Sequence, residues 1–573
     1  MKKEEKKFYN VRDIIDNAIN KYSNNVAFKI KEKKGKEVKY KEITYKKMQS
    51  DIYALGTAIN SITKNEKRVA VIGKNSYPWM LTYLSTLYGN NIIVPLDKGL
   101  PALEIKDLIK RSKANIVVFE DEYMDTMKEI KSENKIVEQF ICMQRNDEFK
   151  DLDAVISEGR KEFKKGNKKI MSTKIDDKKL ATIIFTSGTT SISKGVMLSQ
   201  YNIASNINSL QHVITIYDND VNMAFLPFHH TFGSTGLILF LSKGACNTFC
   251  DGLRHIQSNL VEYKVSIFVC VPLLLEAMYK KIMQEVKKQN KEKTVKFGVA
   301  LSKFLLKFKI DIRRKIFKDI INKLGGNLRY IVSGASAIDR KVAEGFNNFG
   351  MIIVQGYGLT ETSPVVGVEN DKYHRIGSIG KAVPSIEVKI VDKNEEGIGE
   401  LIVKGPNVML GYYNNEEANK EVLKDGWFYT GDLAKIDEEG YIYICGRKKS
   451  VIVLKNGKNI FPEEMENLVN KIEGVKESFI FGKQQSEDKD DIKINVKIVF
   501  DREVVKEVYK VKTDDEIYKV LSKKIKEINK TMPTYKAIRG VLITEKELIK
   551  TTTNKIKRQA NLDAIEKFSL IKK

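Results

Sequence analysis

Three short runs rich in valine and isoleucine, RVAVIG (68–73), NIIVPLD (91–97) and NIVVFED (115–121), are each bounded by turn residues. Such runs are what buried parallel strands look like, because both of their faces are covered. Behind Thr44, a candidate N-cap, Tyr45, Met48, Ile52, Leu55, Ile59 and Ile62 recur at three- and four-residue intervals and predict an amphipathic helix. The first 180 residues therefore predict a βαβ sheet covered by helices.

At 573 residues the chain exceeds what one hydrophobic core accommodates, so at least two domains are expected. After Gly446 the texture changes to short strands and lysine-rich helices, which puts the division at 1–447 and 448–573. No apolar stretch reaches the roughly 20 residues of a spanning helix, and no apolar h-region follows the charged N-terminus. Five cysteines without paired CxxC spacing point to a reduced, cytoplasmic protein.

The net charge of +25 suits an anionic partner, although lysine-rich bias explains it equally. The lysines lack the interleaved aromatics of a nucleic-acid surface, so no nucleic-acid partner is expected. Residues 280–326 hold fifteen Lys or Arg against four Asp or Glu, with an apolar series that includes Phe297, Leu301, Phe304 and Phe308. They predict basic amphipathic helix ending at Gly325-Gly326. Surface helices packed on the domain are the simpler reading, and peripheral contact with the inner membrane surface is the other.

A strand, ATIIF (181–185), runs into Thr186-Ser187-Gly188-Thr189-Thr190-Ser191-Ile192-Ser193-Lys194-Gly195. Hydroxyls, free N–H groups and one lysine can wrap phosphates there. The order Lys194 then Gly195 excludes a Walker A loop, which requires Gly-Lys-Ser/Thr. Further along come LPFHHTFG (226–233), YIVSGASAI (330–338), VQGYGLTETSP (354–364), GELIVKGPNVMLGYY (399–413), DGWFYTGDL (425–433), GYIYICGRKKS (440–450) and PTYKAIRGVLITEKELIKTTTNKIKR (533–558).

In this order and over nearly the whole chain, these segments resemble the motifs of the adenylate-forming superfamily, which includes acyl-CoA synthetases, luciferases and the adenylation domains of peptide synthetases. The chain departs from that pattern at Ser191, where the family has Gly, at Ser193, where it has Pro, at Ser450 for Asp and at Asn554 for Gly. The resemblance implies an α/β fold: a large N-terminal domain of stacked βαβ sheets with a β-barrel-like subdomain, and a small mobile α+β C-terminal domain.

It also implies ATP-dependent activation of a carboxylic acid to an acyl-adenylate, then transfer to coenzyme A, with Mg²⁺ as the metal. Thr186, Ser187, Gly188, Thr189, Thr190 and Lys194 would form the phosphate loop, and Gly334, Ala335, Gln355, Gly356 and Tyr357 the adenine slot. Thr360 would bond the α-phosphate and Glu361 would hold Mg²⁺. Asp432, assisted by Arg447, would accept the ribose hydroxyls. Lys449 would be the hinge and Lys555 the catalytic lysine, while His230 and Gly233 would line the acyl pocket. Between the His230 motif and Ser333 the chain looks most like long-chain fatty acyl-CoA synthetases, implying a medium- or long-chain fatty acid. Two alternatives stay open: an acyl carrier protein as acceptor, and a non-catalytic nucleotide-binding protein on the same scaffold.

Overall fold

The computed structural model describes residues 6–35, 37–133, 136–186, 193–371, 374–454, 458–484, 492–551 and 555–571. The three valine-rich runs lie side by side in an eight-stranded sheet, as Arg68–Ile72 between Ile92–Pro95 and Ile116–Phe119, all parallel. Leu180–Thr186 continues the sheet beyond Ile92–Pro95 and turns back as Lys194–Ser199, so Thr186 pairs with Lys194 across an antiparallel ladder. The helix behind Thr44 spans Tyr45–Ile62, its Lys47 N–H donating to Thr44 Oγ1 at 3.2 Å. Tyr45, Met48, Ile52, Leu55 and Ile59 are fully buried on one side of it. The alternating three- and four-residue spacing thus delivered one apolar stripe to the core.

A nine-stranded sheet has four parallel neighbours in register, Val221–Ala224, Ile267–Cys270, Tyr330–Ser333 and Ile352–Gly358. Loops at the carboxyl ends of such strands are where α/β sheets bind ligands. Gly334 and Ala335 follow directly on one of these ends, and Gln355, Gly356 and Tyr357 form the next. A five-stranded antiparallel sheet, built around Gly399–Lys404 and Trp427–Ile436, corresponds to the expected barrel-like subdomain.

Beyond it, Val475–Gln484, Ile492–Phe500 and Gly540–Thr544 form a three-stranded sheet. With the helices Pro462–Val469 and Asp514–Asn529 it closes a separate core around Met465, Val496, Ile498 and Leu521. Asn456-Gly457, a dipeptide that suits a strand reversal, lies outside the described residues.

Residues 280–326 form helices packed on the domain, with Val295, Val299, Phe317 and Ile321 in its core cluster. There are four pieces, Pro272–Lys288, Glu292–Leu306, Arg313–Ile316 and Lys318–Asn322. The chain breaks where Asn290 and Lys309 take positive φ, 56° and 61°, a region that ends helices. Gly325 and Gly326 do end the last piece, at φ of 92° and 78°. Among the described residues no helix is long and apolar enough to cross a membrane.

Candidate active site

Asp432 lies on the strand Trp427–Ile436 directly opposite Arg447 in the antiparallel ladder. That register brings Arg447 Nε to 2.8 Å from Asp432 Oδ1, while Tyr357 donates its hydroxyl to Oδ2 from the neighbouring sheet. Asp432 is 4% exposed, and burial pushes its carboxyl up against the pull of Arg447, Tyr357 and Lys555. The Arg447 pKa is also raised, but by its partners and not by burial. Burial lowers its affinity for a proton, but Asp432, Tyr357 and Glu361 outweigh that and hold the guanidinium charged.

Thr360 and Glu361 open the short turn Thr360–Thr362 that follows the strand Ile352–Gly358. Glu361 accepts a hydrogen bond from Tyr412 Oη at 2.9 Å, and Lys194 Nζ sits 4.9 Å above the ring of that same tyrosine. Tyr412 is thus the link between Lys194, at the end of the 186–194 segment, and the carboxylate, although sequence reasoning gave it no role. It stood in the quoted GYY segment without a chemical pattern of its own. Thr186 Oγ1 meets Lys194 O at 3.4 Å, so the two posts of the loop are joined. Ser187, Gly188, Thr189 and Thr190 lie outside the described residues. Arg111, also unforeseen, grips the loop's far post, with Nη2 2.8 Å from Ser193 O and the guanidinium over the Phe185 ring.

Gln355 and Gly334 lie on adjacent strand ends, and Gln355 Oε1 accepts from Ile338 N at 3.3 Å, drawing the 334–338 turn towards it. Buried Glu369 takes the Gln355 N–H at 2.9 Å and fixes that strand end. A side chain on Gly334 would press into the Phe232 ring at 2.9 Å, so this turn and the helix Thr231–Ser242 touch closely. Ala335 is held at φ 73°.

Lys555 comes from the C-terminal segment, anchored by Thr551 N–H to Lys555 O at 2.8 Å. The residue is exposed overall, yet its ammonium is crowded by protein. Burial, then Arg447, lower its pKa, against the attraction of Asp432 and Glu361. His230 also feels the Lys555 charge. Lys555, Glu361, Asp432 and Arg447 therefore share one electrostatic environment, although they lie nearly 200 positions apart in the chain. Lys449 sits outside it, exposed, 3.6 Å from Glu421.

His230 precedes the helix Thr231–Ser242, and its ring stacks at a tilt on His229, centroids 4.3 Å apart. Burial holds both imidazoles neutral, and His229 Nε2 lies 3.3 Å from Asp97. His230 Nε2 is buried without a hydrogen-bond partner among the described residues. Behind the helix is an apolar cavity of about 20 Å³ lined by Gly233, Gly236, Leu237, Phe228, Phe240 and Val269 among others. This volume is that of a single water, well short of an alkyl chain. His230 is not among its lining residues.

The two sheets with their ligand-end loops and the smaller C-terminal unit define the architecture of an adenylate-forming enzyme. Residues 15–413 match the family model described as AMP-binding enzyme, and residues 449–568 match the one described as AMP-binding enzyme C-terminal domain. The chain belongs to this AMP-binding enzyme family, within the adenylate-forming superfamily. It is 28% identical over 452 residues to fatty acyl-CoA synthetase B of Dictyostelium discoideum, covering 74% of this chain and 67% of that protein. It is 33% identical over 321 residues to the peroxisomal long chain acyl-CoA synthetase 6 of Arabidopsis thaliana, covering 53% of this chain but only 46% of the relative. Among solved structures it resembles the anthranilate CoA ligase AuaEII in complex with anthranoyl-AMP, with a TM-score of 0.77, 19% identity and 99% of each chain covered.

Proposed function

We propose that this chain joins a carboxylic acid to the α-phosphorus of ATP, releases pyrophosphate, and passes the acyl group to coenzyme A. The observation that carries this reading is the shared surrounding of Glu361, Asp432, Arg447 and Lys555 beside the Thr360 turn. A buried carboxylate bridged to a guanidinium and a tyrosine hydroxyl can receive ribose hydroxyls, and a lysine facing the same space can meet phosphate oxygens.

The acid needs no base, because a carboxyl of pKa about 4–5 is already ionised at neutral pH. Neutral, half-buried His230 suits a wall of the acid site better than a proton acceptor. One carboxylate oxygen of the substrate attacks the α-phosphorus, and the bond to the bridging oxygen breaks towards pyrophosphate. Lys555 and the Thr360 hydroxyl offset charge on the non-bridging oxygens, Lys194 and the 186–194 loop hold the departing phosphates, and Asp432 with Arg447 fixes the ribose.

The residues fit Mg²⁺ of the kind held by one carboxylate and substrate phosphates. Glu361 offers a carboxylate, and no cluster of three or more His, Cys, Asp or Glu forms an all-protein cage among the described residues. When bound, the ion would neutralise phosphate charge.

In the second step the thiol attacks the acyl carbonyl and AMP leaves. We assign 1–447 to the large domain and 448–573 to a small domain that turns about Lys449, withdrawing Lys555 before the thiol enters. Lys449→Pro should leave acyl-AMP formation intact and block thioester formation. The names of the relatives support coenzyme A over a carrier protein and a medium- or long-chain fatty acid over other acids, and these substrates suit a cytoplasmic setting. The test is ATP-dependent acylation with acids of increasing length, offering coenzyme A and a carrier protein separately. Turnover with neither acceptor, at any length, would refute the reading.

A further inference from the structure

The helix Glu292–Leu306 turns two opposite faces to different surroundings. Gly298 and Ser302 are buried, and Val295 and Val299 pack on the core beneath. A side chain on Gly298 would meet Ile316 at 2.9 Å, so this seat is tight. The other face leaves Phe297 69% and Phe304 56% exposed, with Leu301 between them. Just past the helix end Phe308, 62% exposed, meets Phe304 edge to face at 5.3 Å. Spacing of four, three and four residues sets these side chains in one ridge. Single exposed apolar residues are ordinary in a folded protein, but a contiguous aromatic ridge is not.

Charge accompanies the ridge. Residues 292–310 carry five lysines and one carboxylate, Glu292. Lys296, Lys303 and Lys307 line one flank, all exposed, and none of the five is paired with a carboxylate among the described residues. A second copy of this chain would bring the same lysines against them, which is repulsive. An anionic bilayer satisfies both features, with aromatic rings at the boundary of headgroups and acyl chains and ammonium groups at the phosphates.

We propose that this ridge docks the protein on anionic phospholipid surfaces. The helix Pro272–Lys288, which leads to it, leaves the sheet directly after the strand Ile267–Cys270, whose Val269 lines the small apolar cavity. Docking here would hold that side of the protein against the phase in which a long alkyl acid dissolves. The proposal concerns a surface and stands or falls independently of the catalytic reading.

Flotation of the full chain with vesicles of phosphatidylcholine alone, or mixed equally with phosphatidylglycerol, tests it. Wild type should float with the anionic vesicles at low salt and be released as salt is raised. Phe297→Ser/Phe304→Ser/Phe308→Ser should lose at least about tenfold in partitioning, since each buried ring contributes more than one such factor. Replacing Lys296, Lys303 and Lys307 by Gln should lose about tenfold or more at low salt. Thermal unfolding of each variant, unchanged from wild type, separates lost docking from lost fold. Absence of wild-type binding to anionic vesicles at low salt overturns the proposal, as does equal binding by wild type and a folded triple-Ser variant. A self-association seen by light scattering, abolished by those variants while vesicles remain unbound, would assign the ridge to a second copy instead.

Discussion

Lys471 of the C-terminal unit reaches Asp339 of the large N-terminal part, with Nζ 2.6 Å from Oδ2. Asp339 is the N-cap of the helix Arg340–Asn348 and follows the 334–338 turn directly, so one carboxylate both starts a helix and ties down the C-terminal unit, to which Lys555 also belongs. Burial would raise the Asp339 pKa, but the lysine wins and holds it low. The contact belongs to the arrangement with Lys555 in the cleft and must break if the C-terminal unit turns.

Lys471→Ala should therefore slow acyl-AMP formation while leaving transfer from preformed acyl-adenylate to coenzyme A equal or faster. Lys471 is more than half exposed, so the pair contributes only about 0.2–1 kcal/mol. That is a rate effect of roughly 1.5- to 5-fold. Pyrophosphate release and single-turnover thioester formation, measured separately, check it; equal slowing of both would count against a tether specific to one orientation.

The paired imidazoles predict a pH dependence of stability. His229 is 7% exposed and its pKa is driven down by burial, then by His230, against the pull of Asp97. A histidine held neutral in the fold binds a proton in the unfolded chain as pH falls below about 6.5, so stability is full above that value and declines below it. His229→Gln should flatten the fall in melting temperature between pH 6.5 and 5, where carboxylates contribute little. An unchanged slope would mean that other groups set the acid sensitivity.

Two glycines three residues apart on the same helix should behave oppositely. A Cβ on Gly233 would lie 2.2 Å from Pro227 O, whereas one on Gly236 meets nothing within 4 Å. Gly233→Ala should destabilise by about 1–3 kcal/mol through overpacking. Gly236→Ala should leave stability nearly unchanged, and Gly236→Leu should shift acid preference towards shorter chains by filling the cavity. Denaturant titration and an acid-length panel read these outcomes; an unshifted preference would move the acyl site elsewhere.

How much of this was legible beforehand follows from the range of the forces involved. Helix Tyr45–Ile62 and the strands around Arg68–Ile72 are written in local periodicity, and the structure reproduces them. Pairing of Asp432 with Arg447 could be anticipated only from motif order, and the ladder register supplies its physical reason. Tyr412, Arg111 and Asp339 escaped notice because each acts on a partner brought near by folding, with nothing periodic to mark it. The break at Lys309 and the small size of the cavity were illegible for a related reason: both depend on how neighbouring side chains fill space.

The central claim is that Lys555 completes a site in which an acid displaces pyrophosphate from ATP. Acid-dependent exchange of labelled pyrophosphate into ATP, without coenzyme A, measures that step alone. Wild type should catalyse exchange with a fatty acid, and Lys555→Ala should lose about 10²- to 10³-fold or more, the scale of a lost electrostatic contact to the developing charge, while still binding ATP. Normal exchange by the variant, or none by wild type with acids of any length, would contradict the account.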